Sequence, residues 1–231
     1  MGFATSADST HAYMRAGDLD VAFQGRGYVD SLLAKLDAFT SRADAQWTSK
    51  TIVQEELKSL LPDVCLKAEA GNDNPIANFL SMQGVSFNRL AMDIDTSPQE
   101  GINGETLICG MHTDSLLIDS IRLDLKHGDD GLDFLTEVIS NTRKNQEAFE
   151  INLDGHIGNG QAQLLLQYLN AKKEKGVYIG VNAALGRRGI RMRFFPENPT
   201  LAYRPFQLNE RNYLYLADRG RIYGDLRPFD E

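Results

Sequence analysis

The 231-residue chain carries 24 Lys and Arg against 32 Asp and Glu, a formal charge of −8, with 42% hydrophobic and 24% charged residues. This is an ordinary composition for a soluble globular protein, and the negative balance argues against a nucleic-acid partner held through its phosphate backbone. No apolar run is long enough to span a bilayer, Met1 to Asp20 has acidic residues and no apolar centre, and two cysteines, Cys65 and Cys109, are too few for a disulfide framework, so the expectation is a cytoplasmic protein without a membrane partner.

In chain order, residues 1–25 are weakly patterned and read as a loosely held lead-in. Val29, Leu32, Leu33, Leu36 and Phe39 then recur at helical spacing. Thr51-Ile52-Val53-Gln54 has the form of a capping box, and Ile52, Val53, Leu57, Leu60 and Leu61 continue an apolar stripe as far as Pro62. Gly71-Asn72-Asp73-Asn74-Pro75 signals a loop. Beyond it, short strand-like runs alternate with turn residues: 85–92, 105–118, 121–125, 131–138 and 148–153. Many short strands at this spacing predict a sandwich, barrel or jelly roll. The leucines of Gln161 to Lys175, without Gly or Pro, predict a helix. Strands are expected again at 177–181 and 190–195, and a short element of undetermined type at 209–218.

One strand carries chemistry. In Leu107-Ile108-Cys109-Gly110-Met111-His112-Thr113-Asp114-Ser115-Leu116-Leu117-Ile118, His112 and Asp114 are two residues apart. On an extended chain such residues share a face. An imidazole and a carboxylate so placed supply two-thirds of the two-His, one-carboxylate arrangement that holds non-haem Fe(II).

The order of the segments resembles the Fe(II)- and 2-oxoglutarate-dependent dioxygenases of the isopenicillin N synthase type. Met111-His112-Thr113-Asp114-Ser115-Leu116-Leu117 is similar to that family's ligand strand. Gly131-Leu132-Asp133-Phe134-Leu135-Thr136 and Ala148-Phe149-Glu150-Ile151-Asn152-Leu153-Asp154-Gly155 resemble two strands that follow it, and Asn159-Gly160 the turn after those. Arg188 to Pro199, with Phe194-Phe195-Pro196, and Ala202-Tyr203-Arg204-Pro205-Phe206 resemble the end of the fold.

The resemblance implies a mainly β protein with N-terminal helices and a double-stranded β-helix (jelly-roll) core. It divides a single domain into a helical layer at 1–70, the core at 71–206 and a tail at 207–231. It implies an oxygenase acting on a small molecule or peptide side chain, with Fe(II) held by His112, Asp114 and a third donor, and with 2-oxoglutarate as co-substrate. That third donor is His156, which lies 156 − 112 = 44 residues after the first ligand, or Gln167, eight residues after Asn159, or is absent. The co-substrate's distal carboxylate is assigned to Arg188, with Arg187 and Arg191 as alternatives, because a guanidinium matches a carboxylate bidentately.

Two other classes stay open. Asp93 and Asp95, with Asp124 as a third carboxylate, form the kind of set that holds Mg²⁺ for nucleotidyl or phosphoryl transfer. The other class is a non-catalytic jelly-roll binding protein. Cys109 near His112 and His156 could suggest a thiol nucleophile, but a cysteine in an apolar strand reads as inert core.

Overall fold

Short connections dictate the topology. From β5 to β12 consecutive strands are joined by two residues, as at Asn159-Gly160, to eight, as at 141–148. A connection that short leaves a strand no partner but its sequence neighbour, antiparallel to it. Asn159 and Gly160 both have positive φ, the backbone of a two-residue hairpin turn, for which Asn-Gly is the preferred pair.

The computed structural model describes residues 1–113, 115–209, 211–217 and 221–225. Strands β1 (Gly2–Thr5), β2 (Thr10–Ala16) and β3 (Leu19–Gly25) are followed by helices α1 (Val29–Ser49) and α2 (Gln54–Ser59). Strand β4 (Val64–Ala70) precedes α3 (Pro75–Met82). The long strands come next: β5 (Arg89–Ser97), β6 (Gly101–His112), β7 (Leu117–His127), β8 (Leu132–Ser140), β9 (Phe149–Gly158), β10 (Gln161–Asn170), β11 (Lys175–Gly186) and β12 (Gly189–Leu201). Three short strands end the described chain: β13 (Arg204–Pro205), β14 (Tyr213–Ala217) and β15 (Arg221–Asp225). All belong to one antiparallel sheet, a 15-stranded meander in sequence order, with β13 paired only to β12.

Several expectations are corrected here. The protein is mainly β, but the sheet is a meander and not a jelly roll, because its short turns exclude the long crossing connections a jelly roll needs. The first 25 residues are three strands of the sheet, closed between β2 and β3 by Gly17 at φ +65. The 1–70 segment is therefore sheet as well as helix. The helix expected over Gln161 to Lys175 is β10 and its turn. The expected capping box at Thr51 is not formed: α2 starts after Val53 without a side-chain cap. Helix α3 starts at the end of the stretch read as a loop and runs through residues for which no element was expected; the Asn74 side chain caps it by accepting from the Ala77 amide, with Pro75 in its first turn.

The sheet is mostly a single layer. The molecule exposes 14808 Å², whereas a compact 25.7 kDa monomer exposes about 10,400 Å². The fully buried apolar side chains are Leu19, Leu32, Leu61, Ala68, Ala70, Ala77 and Phe87. All belong to the first four strands, the three helices or their connections. Among the described residues beyond Phe87, no Leu, Ile, Val, Met or aromatic side chain is fully buried.

Candidate functional site: the apolar face of the sheet

Residues opposite one another in an antiparallel ladder share a face, and neighbours along a strand alternate. Tracing the register across the sheet therefore sorts its side chains into two sets. One row runs Ile94, Gly104, Leu125, Phe134, Gly155, Leu164, Val181, Phe194. Two strand positions away on the same face runs Met92, Thr106, Leu123, Thr136, Leu153, Leu166, Ile179. A third row is Leu90, Ile108, Ile121, Val138, Ile151, Tyr168, Val177, Leu201. Within these three rows the side chains that are not pure hydrocarbon are Met92, Thr106, Thr136 and Tyr168; the two ends of the face are polar, with Thr96 and His127 at one end and Asp119, Ser140 and Asn170 at the other.

The intervening rows face the other way and carry most of the charged and amide side chains, with Leu107, Leu135, Leu165 and Phe195 among them. One reads Asp95, Asn103, Lys126, Asp133, His156, Gln163, Asn182, Arg193. Its neighbour begins Asp93, Glu105, Asp124 and the next includes Arg122, Glu137, Asn152 and Gln167.

All three helices sit on the apolar face, at its two rims. Leu32 of α1 packs over Gly25 beside Val64. Helix α1 turns back after Lys50, where Gln46 accepts from the Val53 amide at 2.8 Å and donates to Glu56 of α2 at 2.8 Å. Ile52 approaches Gly160 at the β9–β10 turn. On the return path Gln54 meets His127 of β7, Nε2 to Nε2 at 3.0 Å, and the Thr96 hydroxyl donates to the Pro62 carbonyl at 2.8 Å. The α1–α2 segment is thus a strap across one rim, with Leu33, Leu36 and Trp47 of α1 turned to solvent. At the other rim, Ala77 and Leu80 of α3 pack with Leu19, Ala70, Phe87, Leu90 and Ile108. Between the rims, over β8–β12, no second layer covers the apolar rows. Ile157, Leu166 and Leu201 are 48%, 37% and 39% exposed.

His127 is an ionisable group at the end of β7 on this face. Burial holds its pKa below the usual histidine value, the Lys58 ammonium pushes it the same way, and Glu55 opposes them. Its Nδ1 and the Oε1 of Gln54 are buried without hydrogen-bond partners.

The residues expected to bind iron are not brought together. His112 ends β6, exposed, and pairs with Ser86 and Leu117. His156 lies on β9, three strands away, on the polar face, with its Nδ1 2.7 Å from Asp133 Oδ1. Its row crosses β6 at Asn103, and 112 − 103 = 9 residues of strand separate the two histidines by about 30 Å along the strand direction. Asp114 lies outside the described residues. Gln167 sits mid-strand on the polar face between Asn152 and Tyr178, four strands from β6. Arg187 and Arg188 form the exposed tip of the β11–β12 hairpin. Arg191 alone of the three arginines shares a depression with His156.

Asp93 and Asp95 do lie side by side on the polar face, and with Cys65 their ligating atoms fall within 4.8 Å of one another. Lys67 already occupies Asp93 at 2.7 Å. Burial, reinforced by a hydrogen bond to Asp95, raises the Cys65 pKa and keeps its proton on. An ammonium and a protonated thiol suit a structural ion pair better than a cation site. Asp124 is on the same row two strands over, with Glu105 between. Cys109 is a free, half-buried thiol.

Comparison with protein-family models, with curated proteins and with solved structures gave no match. No helix among the described residues is long and apolar enough to cross a membrane.

Proposed function

We propose that the protein is a non-catalytic carrier that shelters the hydrocarbon chains of an amphiphile on the apolar face of its sheet. The observation behind this reading is the three rows led by Ile94, Met92 and Leu90, which carry no charged side chain and, over β8–β12, no covering layer among the described residues.

From the His127 row to the Leu90 row the face is about 20 Å tall, and across eight strands about 33 Å wide. A patch of several hundred Å² marks an interaction site. Its height suits one chain of a membrane lipid, since a leaflet's hydrocarbon is about 15 Å thick. Its chemistry favours hydrocarbon over a protein surface. Protein interfaces carry about one hydrogen bond per 100–200 Å², whereas here the open rows offer little beyond the hydroxyls of Thr106, Thr136 and Tyr168. The strap also stands over one rim, where a flat second sheet would collide and a flexible chain would pass. The Fe(II) and 2-oxoglutarate expectation draws no support from the placement of His112 and His156, so no step is derived through a metal.

The test is binding of a fluorescent fatty-acid probe to delipidated protein. Leu166→Glu, on the exposed part of the apolar face, is expected to weaken binding about tenfold or more. Leu135→Glu, equally exposed on the opposite face, should leave it within about twofold. Absence of binding, or equal loss in both variants, overturns the proposal. A concentration-dependent dimer dispersed by Leu166→Glu would assign the face to a second copy instead.

A further inference from the structure

The polar face changes character from β9 to β12. Over β7–β9 it is acidic: Asp124, Asp133 and Asp154 line a depression of about 400 Å³. Beyond it lies a second depression of about 200 Å³, and among the described residues that line it none is a carboxylate. Its polar side chains are His156, Gln161, Gln163, Asn182, Arg191 and Arg193.

The register explains why they meet. His156, Gln163, Asn182 and Arg193 are consecutive members of one row over four strands. Gln161 and Arg191 belong to the adjacent row on the same face, on either side of Ala184. Two guanidiniums on one strand thus flank amides from the next two. Arg191 is held over the Tyr213 ring at 5.2 Å, a contact that orients a guanidinium without using its donors. Asp133 fixes the His156 ring through Nδ1.

We propose that this cluster is a binding site for the phosphate group of a small soluble ligand. Donors arrive from three strands, the amides of Gln161, Gln163 and Asn182 and the guanidiniums of Arg191 and Arg193, and so from several directions. A tetrahedral oxyanion can accept from all of them, whereas a planar carboxylate is satisfied by one guanidinium. The site is on the face opposite the hydrocarbon rows and does not depend on the carrier function.

The experiment is titration of the full chain with inorganic phosphate, followed by the NMR signals of the arginine Nε–H and of the Gln and Asn side-chain amides. Saturable shifts are expected at Arg191, Arg193, Gln163 and Asn182. Replacing both Arg191→Gln and Arg193→Gln should weaken binding about tenfold or more. The pair Arg187→Gln and Arg188→Gln, which removes the same charge from the hairpin tip, should change it by less than about twofold. All four side chains are exposed, so the variants retain the fold, and circular dichroism checks this. Equal loss in the two arginine pairs would reduce the site to net charge, and absence of saturable shifts would remove it. Tighter binding of 2-oxoglutarate than of phosphate would overturn the choice of ligand.

Discussion

His127 couples the strap to proton concentration. Its folded-state pKa is depressed, first by burial and then by Lys58, so the native protein prefers the neutral ring. The stabilisation is present above the unfolded value of about 6.5 and is lost as the pH falls through the folded value. Wild type should therefore lose thermal stability in mildly acidic buffer, and His127→Gln should flatten that part of the profile, as read by melting temperature against pH. Gly104 makes a different demand. It sits at φ +153, and a Cβ there would run into the Asp93 carbonyl on the neighbouring strand. Because the obstacle is backbone, Gly104→Ala should destabilise by about 2 kcal/mol or more in urea unfolding. At this scale the sequence was legible for residue type and not for position. The spacing of His112 and Asp114 predicted a shared face on one strand, but only the register could show that His156 is on the other face at the other end. The pairing of His156 with Asp133 rests on which residue of β8 falls opposite it, and nothing local in either segment reveals that.

Helix α1 is anchored through few contacts. Leu32 is 5% exposed and is its fully buried apolar side chain, so Leu32→Ala should lower stability by about 3 kcal/mol. It should also raise amide exchange through 29–60, because the strap loses its hold at one end. Gln46 is the anchor at the other end, with its side-chain oxygen and nitrogen committed to Val53 and Glu56. The helices were legible where the stripe was clear, as from Val29 to Phe39. Helix α3 carried its own signal, Asn74 followed by Pro75, which is a cap and first-turn pair as well as a loop signature. Strand β10 was misread because Leu164-Leu165-Leu166 fills both faces and hides an alternation that Gln161, Gln163 and Gln167 otherwise show. Its neighbours β9 and β11 complete the ladder, and tertiary pairing overrides the helical propensity of Leu and Gln.

For the whole molecule, a single layer means an extended particle. A compact chain of 231 residues has a radius of gyration of about 17 Å. Small-angle scattering of the monomer should give a clearly larger value, and a value at the compact prediction would contradict the open sheet. The strands were legible in outline, and runs such as 121–125 and 149–153 alternate between apolar and polar residues. What short runs could not disclose was how they stack. A jelly roll and a meander use the same strands, and they differ in the lengths and routes of connections that local patterning does not rank.

The pairing of every strand with its nearest neighbour in sequence has a last consequence. Most ladders close over one short turn, the exceptions being β3 on β4 and the strap on β5 and β7, so loop closure opposes the pairing of the long strands only weakly. A nascent polypeptide can add one hairpin at a time as it leaves the ribosome, each new strand finding its template already laid down. By the same logic, excising two successive strands and rejoining the ends would shorten the ribbon by one pleat without inverting the hydrocarbon side of what remains.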